Sequence, residues 1–149
     1  MGRFAYKEGW LEYTERDRAY VDEALEYLGI ASLKERPLTT LSSGQEQLVL
    51  IATALVQQSD VIILDEPTAN LDPQNSVKIA RIMAQLKAEK TLIVITHDIN
   101  LAQVLSDTVL FIEAGTTHLY GKDFFTQTVL EKHYKTPFSH AQTFGVVYE

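Results

Sequence analysis

Three short apolar runs, Val61-Ile62-Ile63-Leu64, Leu92-Ile93-Val94-Ile95 and Val109-Leu110-Phe111-Ile112, restrict the possible folds of this chain more than any other feature. They are rich in β-branched residues and lack the apolar-polar alternation of a half-exposed strand, so each reads as a central strand of a parallel sheet. Parallel neighbours need a crossover between them, usually a helix. Between the first two runs Ile79, Ile82, Met83 and Leu86 share one helical face, and Ile99 to Leu105 supplies a shorter helix between the second and third. The expectation is an α/β fold.

Upstream, Val21, Leu25 and Leu28 recur at helical spacing over Asp17 to Leu28, with Thr14 and Asp17 at capping-box spacing and Gly29 as a stop. A second periodic run, Leu48, Ile51, Ala52 and Leu55, extends from Ser43 to about Gln57 after the connection marked by Pro37 and Thr39-Thr40. Downstream, Gly115 and Gly121 punctuate an edge hairpin containing Thr116 to Tyr120, and helical turns follow between Phe124 and Tyr134 until Pro137 ends them. The 149 residues suit one modest domain.

Thirteen Lys and Arg against twenty Asp and Glu give a formal charge of -7, which disfavours a nucleic-acid partner. The absence of Cys excludes a disulfide framework and fits a reducing compartment, the cytoplasm by default. No apolar stretch approaches the roughly 20 residues that cross a bilayer. Work at a membrane would therefore be done by docking on a partner.

Asp65-Glu66 closes the first apolar run, and in open α/β sheets ligands gather beyond the C-terminal ends of the strands. There one carboxylate can face Mg2+ through water while the other orients a nucleophilic water near a phosphate; the plainer alternative is a solvated acidic turn. Ser42, Ser43 and Gly44 precede or open a helix, whose free N-H groups and dipole favour an anion, although serines there are usually caps. Thr96-His97-Asp98 follows the second run, so His97 can share a sheet edge with Asp65 and Glu66 and reach a phosphate or water; a lone His is more often structural. His118, His133 and His140 have no joint metal-ligand spacing.

These motifs, in this order, resemble the nucleotide-binding domain of ABC transporters. Leu41-Ser42-Ser43-Gly44-Gln45 is similar to the LSGGQ signature, Val61 to Glu66 to the Walker B strand with its catalytic Glu, Ala69-Asn70-Leu71-Asp72 to the D-loop, and His97 to the switch His. The resemblance implies a P-loop NTPase-like core with part of the helical signature subdomain, and ATP and Mg2+ as ligands. It implies that Asp65 holds Mg2+ through water, Glu66 polarises the attacking water, and His97 senses the γ-phosphate. Ser42, Ser43, Gly44 and Gln45 would meet ATP held mainly by a second ATPase subunit arranged head to tail, with Asp72 coupling the two sites. Transmembrane permease subunits would bring the assembly to the inner face of the cell membrane.

The sequence departs from the family in two ways. Ser43 stands where the signature has Gly, adding a Cβ near a crowded turn. No G-x-x-x-x-G-K-[ST] phosphate loop is present, nor a match to the adenine-stacking or Gln loops, and Met1-Gly2-Arg3 resembles the interior stretch that follows the Gln loop. The resemblance thus covers about the last three-fifths of a family domain, an incomplete core. Residues 1-42 would belong to the helical signature subdomain, 43-121 to the signature helix and sheet, and 122-149 to a C-terminal helical segment and tail. By itself the chain is expected to be inactive, to expose a strand edge and apolar surface, and to self-associate. In full-length context the expected function is Mg-dependent ATP hydrolysis driving import, with iron-siderophore, haem or cobalamin the cargo class suggested by the Gly2-Arg3 opening, the Glu15 to Gly29 helix and the His97-to-Ala102 stretch. A non-catalytic interaction fragment and a non-transport ABC ATPase are the alternatives.

Overall fold

The computed structural model describes residues 13-135; the stretch around Met1-Gly2-Arg3, His140 and the C-terminal tail lie outside them. Helix α1 runs from Glu15 to Tyr27. Its start is the predicted capping box: the Thr14 hydroxyl accepts from the Asp17 N-H, and the Asp17 carboxylate accepts from the Thr14 N-H at 3.0 Å. It ends at Gly29, whose φ of +66° is the left-handed conformation that a side chain disfavours. Two single 3-10 turns, Ala31–Leu33 and Leu38–Thr40, lead to helix α2, Ser43–Val56.

Strand β1, Val61–Asp65, is joined by helix α3, Pro73–Leu86, to strand β2, Thr91–Ile95, and the two strands pair in parallel with Val61 opposite Thr91 and Asp65 opposite Ile95. Asp72 caps α3, and Pro73 occupies its first turn, where a missing N-H costs nothing. Helix α4, Ile99–Leu105, follows. Strands β3, Val109–Glu113, and β4, Thr116–Tyr120, form an antiparallel hairpin around Ala114 and Gly115. A 3-10 turn over Lys122–Phe125 and helix α5, Gln127–Tyr134, complete the described chain.

One expectation is corrected here. The Val109 run is not a third parallel strand: β3 pairs with β4 alone among the described residues, so the strands form two separate two-stranded sheets. Nor are the apolar runs covered on both faces. Ile62 and Leu64 are buried, whereas Ile63, Ile93 and Ile95 are 64%, 48% and 54% exposed, and Leu110, Ile112 and Leu119 of the hairpin are exposed as well. The composition of a doubly covered strand is present, yet the described helices pack against one face only.

That face carries the main core. Leu25 and Leu28 of α1, Leu48, Ile51 and Val56 of α2, Ile62 and Leu64 of β1, Ile79 and Met83 of α3 and Leu101 of α4 form one apolar cluster. A second cluster, Phe124, Phe125 and Leu130, packs against Phe111 and Tyr120 of the hairpin. His133 is buried within it, with Nε2 2.7 Å from the Tyr120 hydroxyl and Nδ1 3.1 Å from Glu113. This histidine is a fastener for α5, and its hydrogen bond holds the Glu113 carboxyl below the ordinary carboxylate range.

Candidate functional site

Parallel pairing sets the chemistry-bearing residues side by side. Because Asp65 lies opposite Ile95, the residues that leave β1 and β2, Glu66 and Thr96-His97, emerge together at the C-terminal edge of the sheet. The Glu66 N-H donates to the Ile95 carbonyl at 2.8 Å, so the strand pairing continues one residue into the site. Glu66 itself has φ of +45°, a left-handed conformation that costs about 1–3 kcal/mol for a residue with a side chain and is found preferentially where a surrounding structure demands it. The turn after it is anchored by buried Pro67 and by the Ala69 N-H donating back to the Glu66 carbonyl.

The Glu66 carboxylate is held from three directions. Its Oε1 accepts from the His97 N-H at 3.2 Å and lies 2.7 Å from His97 Nδ1, while Oε2 accepts from the Thr96 hydroxyl at 3.2 Å. The Thr96 oxygen in turn accepts from the Asp98 N-H at 3.0 Å, and Asp98 caps α4 through the N-H groups of Asn100 and Leu101. Thr96 is the site residue to which sequence reasoning assigned no role; its place between Glu66 and Asp98 depends on strand register.

The bond from His97 and its charge lower the Glu66 pKa, and the reciprocal bond raises that of His97. The pair is fully charged between a point below 4.5 and a point above 6.5, the ordinary values of the two groups. Whatever stability it lends is lost as pH rises through the elevated His97 value, or falls through the depressed Glu66 value. The His97 side chain is 84% exposed, so the effect on folding is small. Its titration is still measurable: in an NMR pH series the His97 imidazole should titrate above 6.5 and drop toward that value in Glu66→Gln. An unchanged midpoint would mean that the two side chains do not pair in solution.

The signature turn forms a second cluster. Ser42 and Gln45 make a capping box at the start of α2: the Ser42 hydroxyl accepts from the Gln45 N-H at 3.3 Å, and the Gln45 amide oxygen accepts from the Ser42 N-H at 3.1 Å. Ser43, exposed at the first helical position, has no positive φ, so the turn does not need the glycine that it replaces. Gly44 is buried and faces Asn75 of α3. Asp72 uses both carboxylate oxygens on Asn75, accepting from its backbone N-H at 3.0 Å and from its side-chain amide. These bonds lower the Asp72 pKa, the backbone bond most.

Asp65 ends β1 as an exposed carboxylate. Among the described residues no three His, Cys, Asp or Glu side chains are grouped to hold a metal ion. No helix of the described residues is long and apolar enough to cross a membrane.

The chain is similar in sequence and fold to known proteins. Residues 4–69 fit the ABC transporter family. The petrobactin import ATP-binding protein YclP of Bacillus subtilis is 37% identical over 138 residues, which cover 90% of this chain and 54% of that protein. The iron(3+)-hydroxamate import ATP-binding protein FhuC of the same organism is 37% identical over 117 residues, 77% of this chain and 44% of that protein. A metal-chelate type ABC transporter in an inward-facing conformation superposes with a TM-score of 0.85 at 28% identity, over 92% of this chain and 56% of the other. The chain thus spans about half the length of the relatives it matches. It belongs to the ABC transporter family and carries residues of that family's ATPase domain.

Proposed function

We propose that this chain contributes the signature turn and the water-orienting residues of an ATPase that drives import across a membrane. The observation that carries this reading is the Glu66 carboxylate, seated at the strand edge by Thr96 and His97. Such a carboxylate is placed to accept a hydrogen bond from a water that attacks a phosphate, while exposed His97 reaches the same phosphate. In hydrolysis the water oxygen forms a bond to the γ-phosphorus, the bond from that phosphorus to the β-γ bridging oxygen breaks, and ADP leaves. The water proton passes toward Glu66 or the departing phosphate.

Two further parts complete the assembly. A phosphate loop, for which the sequence has no motif, would hold ATP and Mg2+, and Asp65 would supply a carboxylate toward that cation. A second ATPase subunit, head to tail, supplies the nucleotide that Ser42, Ser43, Gly44 and Gln45 meet, and Asp72 couples the two sites. Permease partners dock the pair on the inner face of the membrane. The exposed faces of β1 and β2 are where a loop-bearing half would pack; uncovered, they favour self-association. The cargo class is iron-siderophore, haem or cobalamin, supported by relatives whose names specify petrobactin and iron(3+)-hydroxamate import.

The test joins the chain to a phosphate-loop-bearing N-terminal half taken from a relative. The chain alone is expected to hydrolyse no ATP, and the joined protein to do so with a requirement for Mg2+. A joined protein that is folded and binds ATP but does not turn it over would favour the second reading, a non-catalytic segment that docks on a complete subunit through the same exposed apolar face.

A further inference from the structure

Helices α2 and α3 approach one another at Gly44 and Asn75, and the space between them is fully used. A Cβ built on Gly44 would lie 2.5 Å from Asn75 Cγ, 2.7 Å from Oδ1 and 2.9 Å from Nδ2. Carbon atoms in good contact sit about 3.5–4.0 Å apart, so the side chain of Asn75 would have to leave. Leaving is not free of consequence, because that side chain is the donor to one oxygen of Asp72 while its backbone N-H is the donor to the other. An alanine at position 44 would therefore be felt at Asp72. The clash exists with no ligand bound, which separates it from the need of a phosphate for a bare backbone at the same glycine.

We propose that Asn75 is a positioning residue that locks the signature turn, Ser42 to Gln45, to Asp72, with Gly44 kept bare to admit it. The two motifs then present themselves to an opposing nucleotide as one body. That last clause rests on the ATPase reading above; the lock between α2 and α3 does not. Asn75 lies three residues after Asp72 and thirty-one after Gly44, so nothing in the sequence motifs marks it.

The experiment is a double-mutant cycle on the full chain, read by thermal unfolding without ligand. Gly44→Ala should lower Tm by about 4 °C or more, the scale of roughly 1 kcal/mol in a domain of this size. Asn75→Ala should cost less, and Gly44→Ala with Asn75→Ala should recover most of the loss. A harmless Gly44→Ala, or a double variant that loses the sum of the two, would overturn the lock. If Gly44→Ala yields no folded protein, recovery of folded protein in the double variant supports the lock, and failure of both while Asn75→Ala folds overturns it.

The positioning role is read separately in the joined, phosphate-loop-bearing ATPase. There Asn75→Ala should lower kcat severalfold with KM for ATP unchanged, because the role proposed for Asn75 acts through the signature turn and Asp72 and not through the subunit's own nucleotide; an unchanged kcat would leave a structural contact and overturn the role. If the joined protein with no substitution fails to hydrolyse ATP, the ATPase reading and the role fail together, and the unfolding cycle still decides the lock.

Discussion

Glu66→Gln in the joined, phosphate-loop-bearing ATPase is expected to lower Mg-dependent turnover at least about 100-fold, the low end of what a positioned general base contributes. Gln keeps the length of Glu and one carbonyl oxygen, so it can still accept one of the bonds now made by Thr96 and His97. What it loses is the negative charge and the capacity to take a proton. ATP binding should be little changed, since Glu66 is a candidate for contact with water and not for the phosphate loop. Single-turnover kinetics with matched ATP affinity separates the two effects, and turnover within a few-fold of the unsubstituted protein would remove Glu66 from the role proposed for it.

Met83→Ala is expected to cost about 2–5 kcal/mol, the range for truncating a fully buried side chain of its size. Met83 is 0% exposed on α3 and belongs to the cluster that α1, α2, β1 and α4 share. Domains are stable by only about 5–15 kcal/mol in total, and this one leaves an apolar strand face uncovered. The control is Ile63→Ala, a comparable deletion of buried-type side chain on β1. Ile63 is 64% exposed, so its truncation should fall within about 0.5 kcal/mol. Urea midpoints for the two variants decide the matter: equal losses would mean that the helices do not cover the face to which they are assigned. In the joined ATPase the Ile63 substitution should become costly, because its face would then be covered.

The contrast between Met83 and Ile63 shows where sequence reading stops. Apolar composition identified both as core candidates, and the 3.6-residue period placed Ile79, Ile82, Met83 and Leu86 on one helix face, as observed. A strand of Val, Ile and Leu has no such internal guide. Its composition reports what the strand is suited to, and whether both faces are covered depends on which other elements are present to cover them. The Val109 run was legible as a strand, and Gly115 as punctuation of an edge hairpin containing Thr116 to Tyr120, but the parallel direction expected for the run was not observed, since it pairs antiparallel with β4 alone among the described residues.

Local rules, by contrast, were sufficient at the helix starts. Thr14 with Asp17 and Ser42 with Gln45 close their capping boxes within four residues, so no distant element can alter the pairing. Order along the chain also sufficed for the family resemblance, carried by the signature, Asp65-Glu66, Asp72 and His97, and residues 4–69 fit that family. What the chain alone did not reveal is how these motifs are held. Thr96 reaches Glu66 only because Asp65 pairs with Ile95, and Asn75 reaches Gly44 only because α3 packs beside α2.

The sequence by itself therefore determined the helices, the strands as such and the family, because caps, helical periods and motif spacings are short-range. Tertiary structure decided the two-sheet topology, the single covered face, the clamp of Thr96 and His97 on Glu66, and the contact of Gly44 with Asn75. Each of these brings together groups about thirty residues apart or sets one element on another, and such distances are fixed by strand register and helix packing, which no local pattern encodes.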